Sequence, residues 1–170
     1  MDERELGRSV EERVWLDDKD ERRRRRMGDI KDRLVLVVDD EPEDVEYISA
    51  ILDDHQMRTM SANNGKEAMR RVQETKPDII LLDLMMPKQS GLGFFNELKK
   101  NDAYKNIPVI VVSGASKATG VDMKSFVYEK ELSLSERKQK VVGIDAKPEA
   151  YVEKPVDPEK LIAAIQKFLP

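Results

Sequence analysis

Residues 34–44 read LVLVVDDEPED, a short apolar run followed at once by acidic side chains. An apolar run of this length is typical of a β-strand that is buried on both faces, as in a parallel sheet. Residues 1–33 differ sharply, because they carry equal numbers of acidic and basic side chains and few apolar ones. The change at Leu34 therefore predicts a charged N-terminal arm or helix over residues 1–33 and a folded domain over residues 34–170.

The N-terminal segment has two features of its own. Leu6, Val10 and Val14 would form a narrow apolar stripe on a helix, and Arg22–Arg26 is an unbroken basic run. Acidic residues flank that run and no aromatic residues interleave with it, which argues against nucleic acid or anionic lipid as its partner. We interpret the basic run as part of a solvated arm, and the whole segment as an exposed helix or a flexible arm.

Short apolar runs alternate with amphipathic stretches beyond residue 34, which predicts an α/β fold with a parallel sheet covered by helices on both faces. Five strands are predicted: Leu34–Val38, Met57–Ala62, Ile79–Asp83, Val109–Ser113 and Tyr151–Glu153. The last helix is the clearest, since Asp157 can cap it and Pro158 suits its first turn. Residues 115–149 follow no single period, and we expect a helix near residues 121–132 and then a charged loop.

Composition narrows the class of protein. The chain has 170 residues, 38% of them charged, and a net charge of −4, which fits one domain with an extra segment and singles out neither nucleic acid nor a membrane surface as a partner. Cys is absent, so disulfides and thiolate metal sites are excluded. No apolar stretch resembles a signal peptide or a membrane span, and we expect a cytoplasmic protein without a DNA-binding domain.

Polar residues follow four of the predicted strands. Asp39 and Asp40 end the first, Asp83 ends the third, Ser113 ends the fourth, and Lys154 follows the fifth. Ligands bind beyond the carboxyl ends of parallel strands, so these side chains should meet there. Clustered carboxylates need a cation, and an all-oxygen set suits Mg²⁺. A carboxylate beside Mg²⁺ can attack a phosphoryl donor, while an ammonium and a hydroxyl stabilise the transferred oxygens. Any one Asp at a strand end is more often a turn former, but the whole set is hard to explain by chance.

Four runs carry a resemblance to a known family: VLVVDDEPED (residues 35–44), DIILLDLMMPKQSGLGFF (78–95), IPVIVVSGAS (107–116) and YVEKPVDPEKL (151–161). Together they resemble the receiver domain of two-component response regulators over about residues 34–170. The resemblance implies a flavodoxin-like, doubly wound sheet of five parallel strands in the order 2-1-3-4-5.

The resemblance also implies a metal site and a phosphorylation site. Asp39, Asp40 and Asp83 match the residues that hold Mg²⁺, with the backbone carbonyl of Met85 as a further ligand. Asp83 matches the residue that accepts the phosphoryl group from a histidine kinase or a histidine phosphotransfer protein.

Three other positions match residues that act with the acceptor. Lys154 and Ser113 match the catalytic lysine and hydroxyl. Tyr151 matches an aromatic residue that turns inward when the hydroxyl moves, so Ser113 and Tyr151 would form the switch. The peptide between Lys154 and Pro155 is expected to be cis.

Two departures from the family pattern stand out. Ser90 occupies a position that usually holds Asp or Asn, which should not affect chemistry. The interval between Ser113 and Lys154 is about twice its usual length, on the face that receivers use to signal, so the downstream protein target cannot be transferred from relatives.

The preferred interpretation is a stand-alone response regulator, a switch rather than an enzyme, that catalyses only the phosphorylation and dephosphorylation of Asp83. An aspartyl phosphatase of the haloacid dehalogenase type would need a second Asp where this chain has Met85. The alternative is a pseudo-receiver that binds proteins constitutively. A phosphate shuttle, a switch that binds its target directly and a homodimer all stay open.

Overall fold

The computed structural model describes residues 30–114 and 146–169. Predictions for residues 1–29, for the helix near 121–132 and for most of the 115–149 segment lie outside the described residues. Ile30 is fully buried, and it packs in the core ahead of the predicted domain start at Leu34. None of the described helices is long and apolar enough to cross a bilayer.

The described strands form one parallel sheet. They are β1 (Leu34–Val38), β2 (Arg58–Ala62), β3 (Ile79–Leu82), β4 (Val109–Ser113) and β5 (Ala150–Glu153). Their order is β2-β1-β3-β4-β5, and every neighbouring pair is parallel. This order confirms the predicted doubly wound, flavodoxin-like fold.

Three of the described helices and a short 3₁₀ turn connect the strands from β1 to β4, and a fourth helix follows β5. They are α1 (Pro42–Asp54), α2 (Gly65–Glu74), the 3₁₀ turn Pro87–Gln89, α3 (Ser90–Lys100) and α4 (Pro158–Phe168). Asp157 caps α4 as predicted, because its side chain accepts hydrogen bonds from the N–H groups of Glu159 and Lys160.

The core lies on both faces of the sheet, because successive side chains of a strand point in opposite directions. On β1, Leu36 and Val38 pack under α2 and α3, whereas Val35 and Val37 pack under α1 and α4. β3 and β4 alternate in the same way. The three central strands are therefore buried throughout, which explains their uninterrupted apolar runs.

Some predicted boundaries differ by one residue from those observed. Met57 lies outside β2 because its N–H closes the end of α1 on the Leu52 carbonyl at 3.1 Å. β5 begins one residue earlier than predicted, where Ala150 pairs with Ile110. β3 ends one residue before its predicted end at Asp83, whereas the other four described strands end where predicted. The polar side chains still follow the carboxyl ends of the strands.

Candidate functional site

Backbone hydrogen bonds hold the predicted site residues at the carboxyl edge of the sheet. The Asp39 N–H donates to the Ala62 carbonyl at 3.1 Å, and the Asp83 N–H donates to Val38 at 2.9 Å. The Lys154 N–H donates to the Ser113 carbonyl at 3.2 Å. Each functional residue therefore continues the hydrogen-bond ladder of the sheet, which fixes where its side chain begins.

Three carboxylates meet at this edge. Asp39, Asp40 and Asp83 each offer an oxygen, and these oxygens lie within 4.8 Å of one another. Asp39 and Asp83 are buried, while Asp40 is exposed. Oxygen donors at this spacing, two of them shielded from water, fit a hard divalent ion such as Mg²⁺, which would offset their mutual repulsion.

Lys154 brings a cation into the cluster. Its Nζ lies 2.7 Å from Asp39 Oδ2, 2.6 Å from Asp44 Oδ2 and 3.2 Å from Asp83 Oδ2. These contacts use all three ammonium protons. Lys154 follows β5, and its ammonium reaches the carboxylates that follow β1 and β3 and the one in the first turn of α1. One side chain therefore connects these elements at the carboxyl edge of the sheet.

The pKa values show how the charges compensate one another. Burial by itself lowers the pKa of Lys154, but its contacts with Asp39 and Asp44 and the charge of Asp83 outweigh burial and hold that pKa well above its usual value. The pKa of Asp39 is also raised, because its burial outweighs the hydrogen bonds from Lys154 and Glu41. The two directions agree physically, since Lys154 has three carboxylate partners whereas Asp39 has only a share of one ammonium.

Glu41 shows that negative charge extends to the rim of the site. Attraction by Lys154 lowers the pKa of this exposed carboxyl, but the charge of Asp44, desolvation and the charges of Asp39 and Asp40 together outweigh that attraction and leave the pKa raised. The edge therefore keeps an excess of negative charge in spite of Lys154.

The loop after β3 is packed tightly around Asp83. The Met85 N–H donates to Asp83 Oδ1 at 2.8 Å, which orients the carboxylate, and the Met85 side chain is exposed. Gly91 lies against the same loop, where an added Cβ would come within 2.2 Å of the Asp83 carbonyl oxygen. A side chain at position 91 would displace the Asp83 backbone, so the glycine is required for this close approach.

Ser113 and Tyr151 lie on adjacent strands, and Val111 of β4 pairs with Tyr151 of β5. The Ser113 hydroxyl is buried and, within the part of the chain that the structure describes, has no hydrogen-bond partner. A buried hydroxyl without a partner is unfavourable unless a ligand supplies one. Tyr151 is partly buried against the cluster under α2 and α3.

Asp44 is a site residue that the sequence reasoning did not select. It lies in the first turn of α1, and its carboxylate makes the shortest of the three Lys154 contacts. The signal was present, since a helix that follows β1 directly places its first turn at the carboxyl edge. An acidic residue in a first turn is, however, usually explained by the helix dipole alone.

Comparison with known proteins identifies the family of this chain. The family model of the response regulator receiver domain matches residues 35–128. The chain belongs to the response regulator receiver family. Receiver domains are signalling modules that take phosphate from histidine kinases and bind Mg²⁺ at an acidic pocket. The cluster of Asp39, Asp40 and Asp83 is an acidic group of this type.

Individual relatives cover different shares of their own length. The receiver is 29% identical to protein PilH of Pseudomonas aeruginosa, over 79% of this chain and 96% of PilH. It is 28% identical to the phosphate regulon transcriptional regulatory protein PhoB of Escherichia coli over 81% of this chain, but it spans only about half of PhoB, 52% of its length. The chemotaxis protein CheY4 of Vibrio cholerae shares the fold, with a TM-score of 0.59, 24% identity and coverage of 81% of this chain and 98% of CheY4.

Proposed function

We propose that this receiver is a stand-alone response regulator that accepts a phosphoryl group on Asp83 from a histidine kinase or a histidine phosphotransfer protein. The observation that carries the proposal is the position of the Lys154 ammonium, which contacts both Asp39 and Asp83 within the carboxylate cluster. This position supports the proposal because it sets a cation beside a carboxylate that would act as the nucleophile and beside oxygens that would bind a metal.

Each residue has a defined task in this proposal. Asp39, Asp40, Asp83 and the Met85 carbonyl would hold Mg²⁺, which when bound would polarise the phosphoryl oxygens. The Asp83 carboxylate attacks phosphorus and forms an oxygen–phosphorus bond, while the bond from phosphorus to the donor breaks and the leaving group takes its electron pair. The Lys154 ammonium stabilises the charge on the transferred oxygens.

The response to phosphorylation would begin at Ser113. A phosphoryl oxygen on Asp83 offers the Ser113 hydroxyl the acceptor that it lacks among the described residues. Movement of Ser113 toward that oxygen would free space on the side of Tyr151. Tyr151 would then turn inward, which would change the surface that a downstream protein target binds. The output is thus a conformational change and not a released product.

The match to PilH supports action without a fused effector, since the chain spans 96% of that protein. We further propose that the N-terminal arm, predicted over residues 1–33, ends at residue 29, because Ile30 is fully buried in the core of the domain. A truncation should therefore stop at residue 29. Removal of residues 1–29 should leave phosphoryl uptake unchanged, and a loss of uptake would contradict the arm assignment.

Intact mass after incubation with Mg²⁺ and acetyl phosphate tests the function. A Mg²⁺-dependent adduct of one phosphoryl group is expected in the wild type and in Asp102→Asn, whose side chain is 92% exposed. The adduct should be lost in Asp83→Asn, with circular dichroism confirming that the variant is folded. The absence of an adduct in the wild type, also with a phosphotransfer protein as donor, would contradict the proposal and favour the pseudo-receiver.

A further inference from the structure

The Lys154 ammonium lies at different distances from its carboxylate partners. Its contact with Asp44 is 2.6 Å long, whereas its contact with Asp83 is 3.2 Å long. The Lys154 side chain is 15% exposed and that of Asp44 is 33% exposed, so water screens this ion pair only in part. The ammonium is therefore held closer to α1 than to the proposed phosphoryl acceptor.

The helix dipole is by itself sufficient to explain an acidic residue at the position of Asp44, without the contact with Lys154. Asp44 lies in the first turn of α1 together with Glu43, where the helix dipole already favours a negative charge. Glu43 occupies the same turn, is exposed and does not contact Lys154 within the described residues. The two neighbours thus differ in their contact with the ammonium, and Glu43 is also the more exposed of the two.

We propose that Asp44 is a positioning residue that competes with the phosphoryl group for Lys154 and so limits how tightly the site holds that group. This inference rests on the proposed function of Asp83. A phosphoryl group adds negative charge next to Asp83 and needs a donated hydrogen bond from the ammonium, all three of whose protons are already used. The Asp44 carboxylate both withholds part of that cation and repels the incoming anion.

Asparagine separates charge from position at this site. Asp44→Asn keeps an oxygen that can accept a hydrogen bond from Lys154, but it removes the negative charge. If the negative charge of Asp44 weakens phosphoryl binding, Asp44→Asn should bind an anionic phosphoryl mimic more tightly than the wild type does. If Asp44 instead serves mainly to orient Lys154 for the phosphoryl group, the variant should bind the mimic equally well or more weakly.

The test measures the affinity of the full chain for beryllofluoride, a phosphoryl mimic, by calorimetric titration in Mg²⁺. Asp44→Asn is expected to bind about three- to tenfold more tightly than the wild type, as removal of one partly screened charge implies. Asp44→Glu restores the charge and should bring the affinity back toward the wild type. Glu43→Gln, the matched control in the same helical turn, should change it by less than about twofold. Equal or weaker binding by Asp44→Asn, or an equal gain in Glu43→Gln, would overturn the inference.

A double-mutant cycle keeps this inference distinct from the proposed function. Urea denaturation of Asp44→Ala, which removes both the charge and the hydrogen-bond acceptor, of Lys154→Met and of the double variant measures the coupling between the two residues without any phosphoryl ligand. A favourable coupling is expected, and its absence would overturn the contact on which the competition depends. If the coupling is present but the wild type neither binds beryllofluoride nor takes up a phosphoryl group, the proposed function fails, and the competition fails with it.

Discussion

The two edges of the sheet use charged side chains in opposite ways. At the amino edge, Asp78 accepts a hydrogen bond from the Leu34 N–H at 2.7 Å and pairs with Arg33 at 3.3 Å. Glu149 likewise accepts the first N–H of β4 at 2.6 Å and pairs with Lys99 at 2.9 Å. Each carboxylate there joins one cation and one backbone donor, so the charges balance and the strands are held in place.

At the carboxyl edge the charges do not balance. Asp39, Asp44 and Asp83 all contact Lys154, Asp40 lies in the same cluster, and Lys154 is the cation that the structure describes in contact with them. Partly exposed ion pairs contribute little to stability, so the amino edge stabilises the fold mainly through the backbone N–H groups that donate to its carboxylates. An uncompensated buried carboxylate is costly, so the carboxyl edge would gain from a further positive charge.

Removal of the cation at the carboxyl edge should have the largest effect. Lys154→Met leaves Asp39 and Asp83 without their ammonium partner and the transferred oxygens without a donor. Phosphoryl uptake from acetyl phosphate should be about 100- to 1,000-fold slower, the usual cost of removing one group that stabilises developing charge. Time-resolved intact mass measures this rate, and a loss smaller than about tenfold would show that Lys154 is not part of the chemistry.

The second-largest effect is expected from added Mg²⁺, which should stabilise the fold through the carboxyl edge and not through the amino edge. An ion that binds the folded state at 100 times its dissociation constant raises the free energy of unfolding by about 2.7 kcal/mol. Urea denaturation with Mg²⁺ or with a chelator should show a gain of this order in the wild type. The gain should be mostly lost in Asp40→Ala, whose exposed side chain should have little other effect on stability. An undiminished gain in Asp40→Ala would mean that the ion binds elsewhere.

The reverse result is expected at the amino edge. Asp78→Ala leaves the Leu34 N–H without its acceptor and should lower the free energy of unfolding by about 1 to 3 kcal/mol. Its gain in stability from Mg²⁺ should equal that of the wild type, because position 78 is at the opposite end of β3. Denaturation curves of this variant with and without the ion measure both quantities. A reduced gain would show that the edges are coupled.

Residue types and periodicity could predict the carboxyl edge but not the amino edge. Asp39, Asp83 and Ser113 each end an apolar run, and Lys154 follows the fifth predicted strand, so the strand ends located them without knowledge of any contact. Asp78 and its partner Leu34 are 44 positions apart, and no local pattern links them. A role of that kind depends on strand register, which only the folded chain supplies.

Asp44 marks the limit of the same reasoning within the site. Its distance from Lys154, 110 positions along the chain, gave no reason to select it over Glu43. The choice between the two depends on the rotation of α1 about its own axis. That rotation follows from the packing of Ile48 and Leu52 against the sheet. Residues 115–149 were harder still to predict, because their apolar side chains follow neither the period of a helix nor that of a strand.

The smallest expected effect is the contribution of Asp39 to the pH dependence of the free energy of unfolding. It shows whether burial or Lys154 dominates at the carboxyl edge. Burial raises the pKa of this carboxyl in the folded state above its usual value, in spite of the contact with Lys154. The folded chain therefore binds the Asp39 proton at a higher pH than the unfolded chain does. The resulting stability is fully present below the unfolded pKa and is lost as the pH rises through the folded pKa.

Denaturation of the wild type and Asp39→Asn in chelator, from neutral pH down to about pH 4, isolates this contribution. The free energy of unfolding of the wild type should rise relative to that of the variant as the pH falls. A relative decrease would mean that attraction by Lys154 outweighs burial, so that the pKa of Asp39 is lowered. The carboxyl edge would then resemble the balanced amino edge, and its need for a divalent ion would be correspondingly weaker.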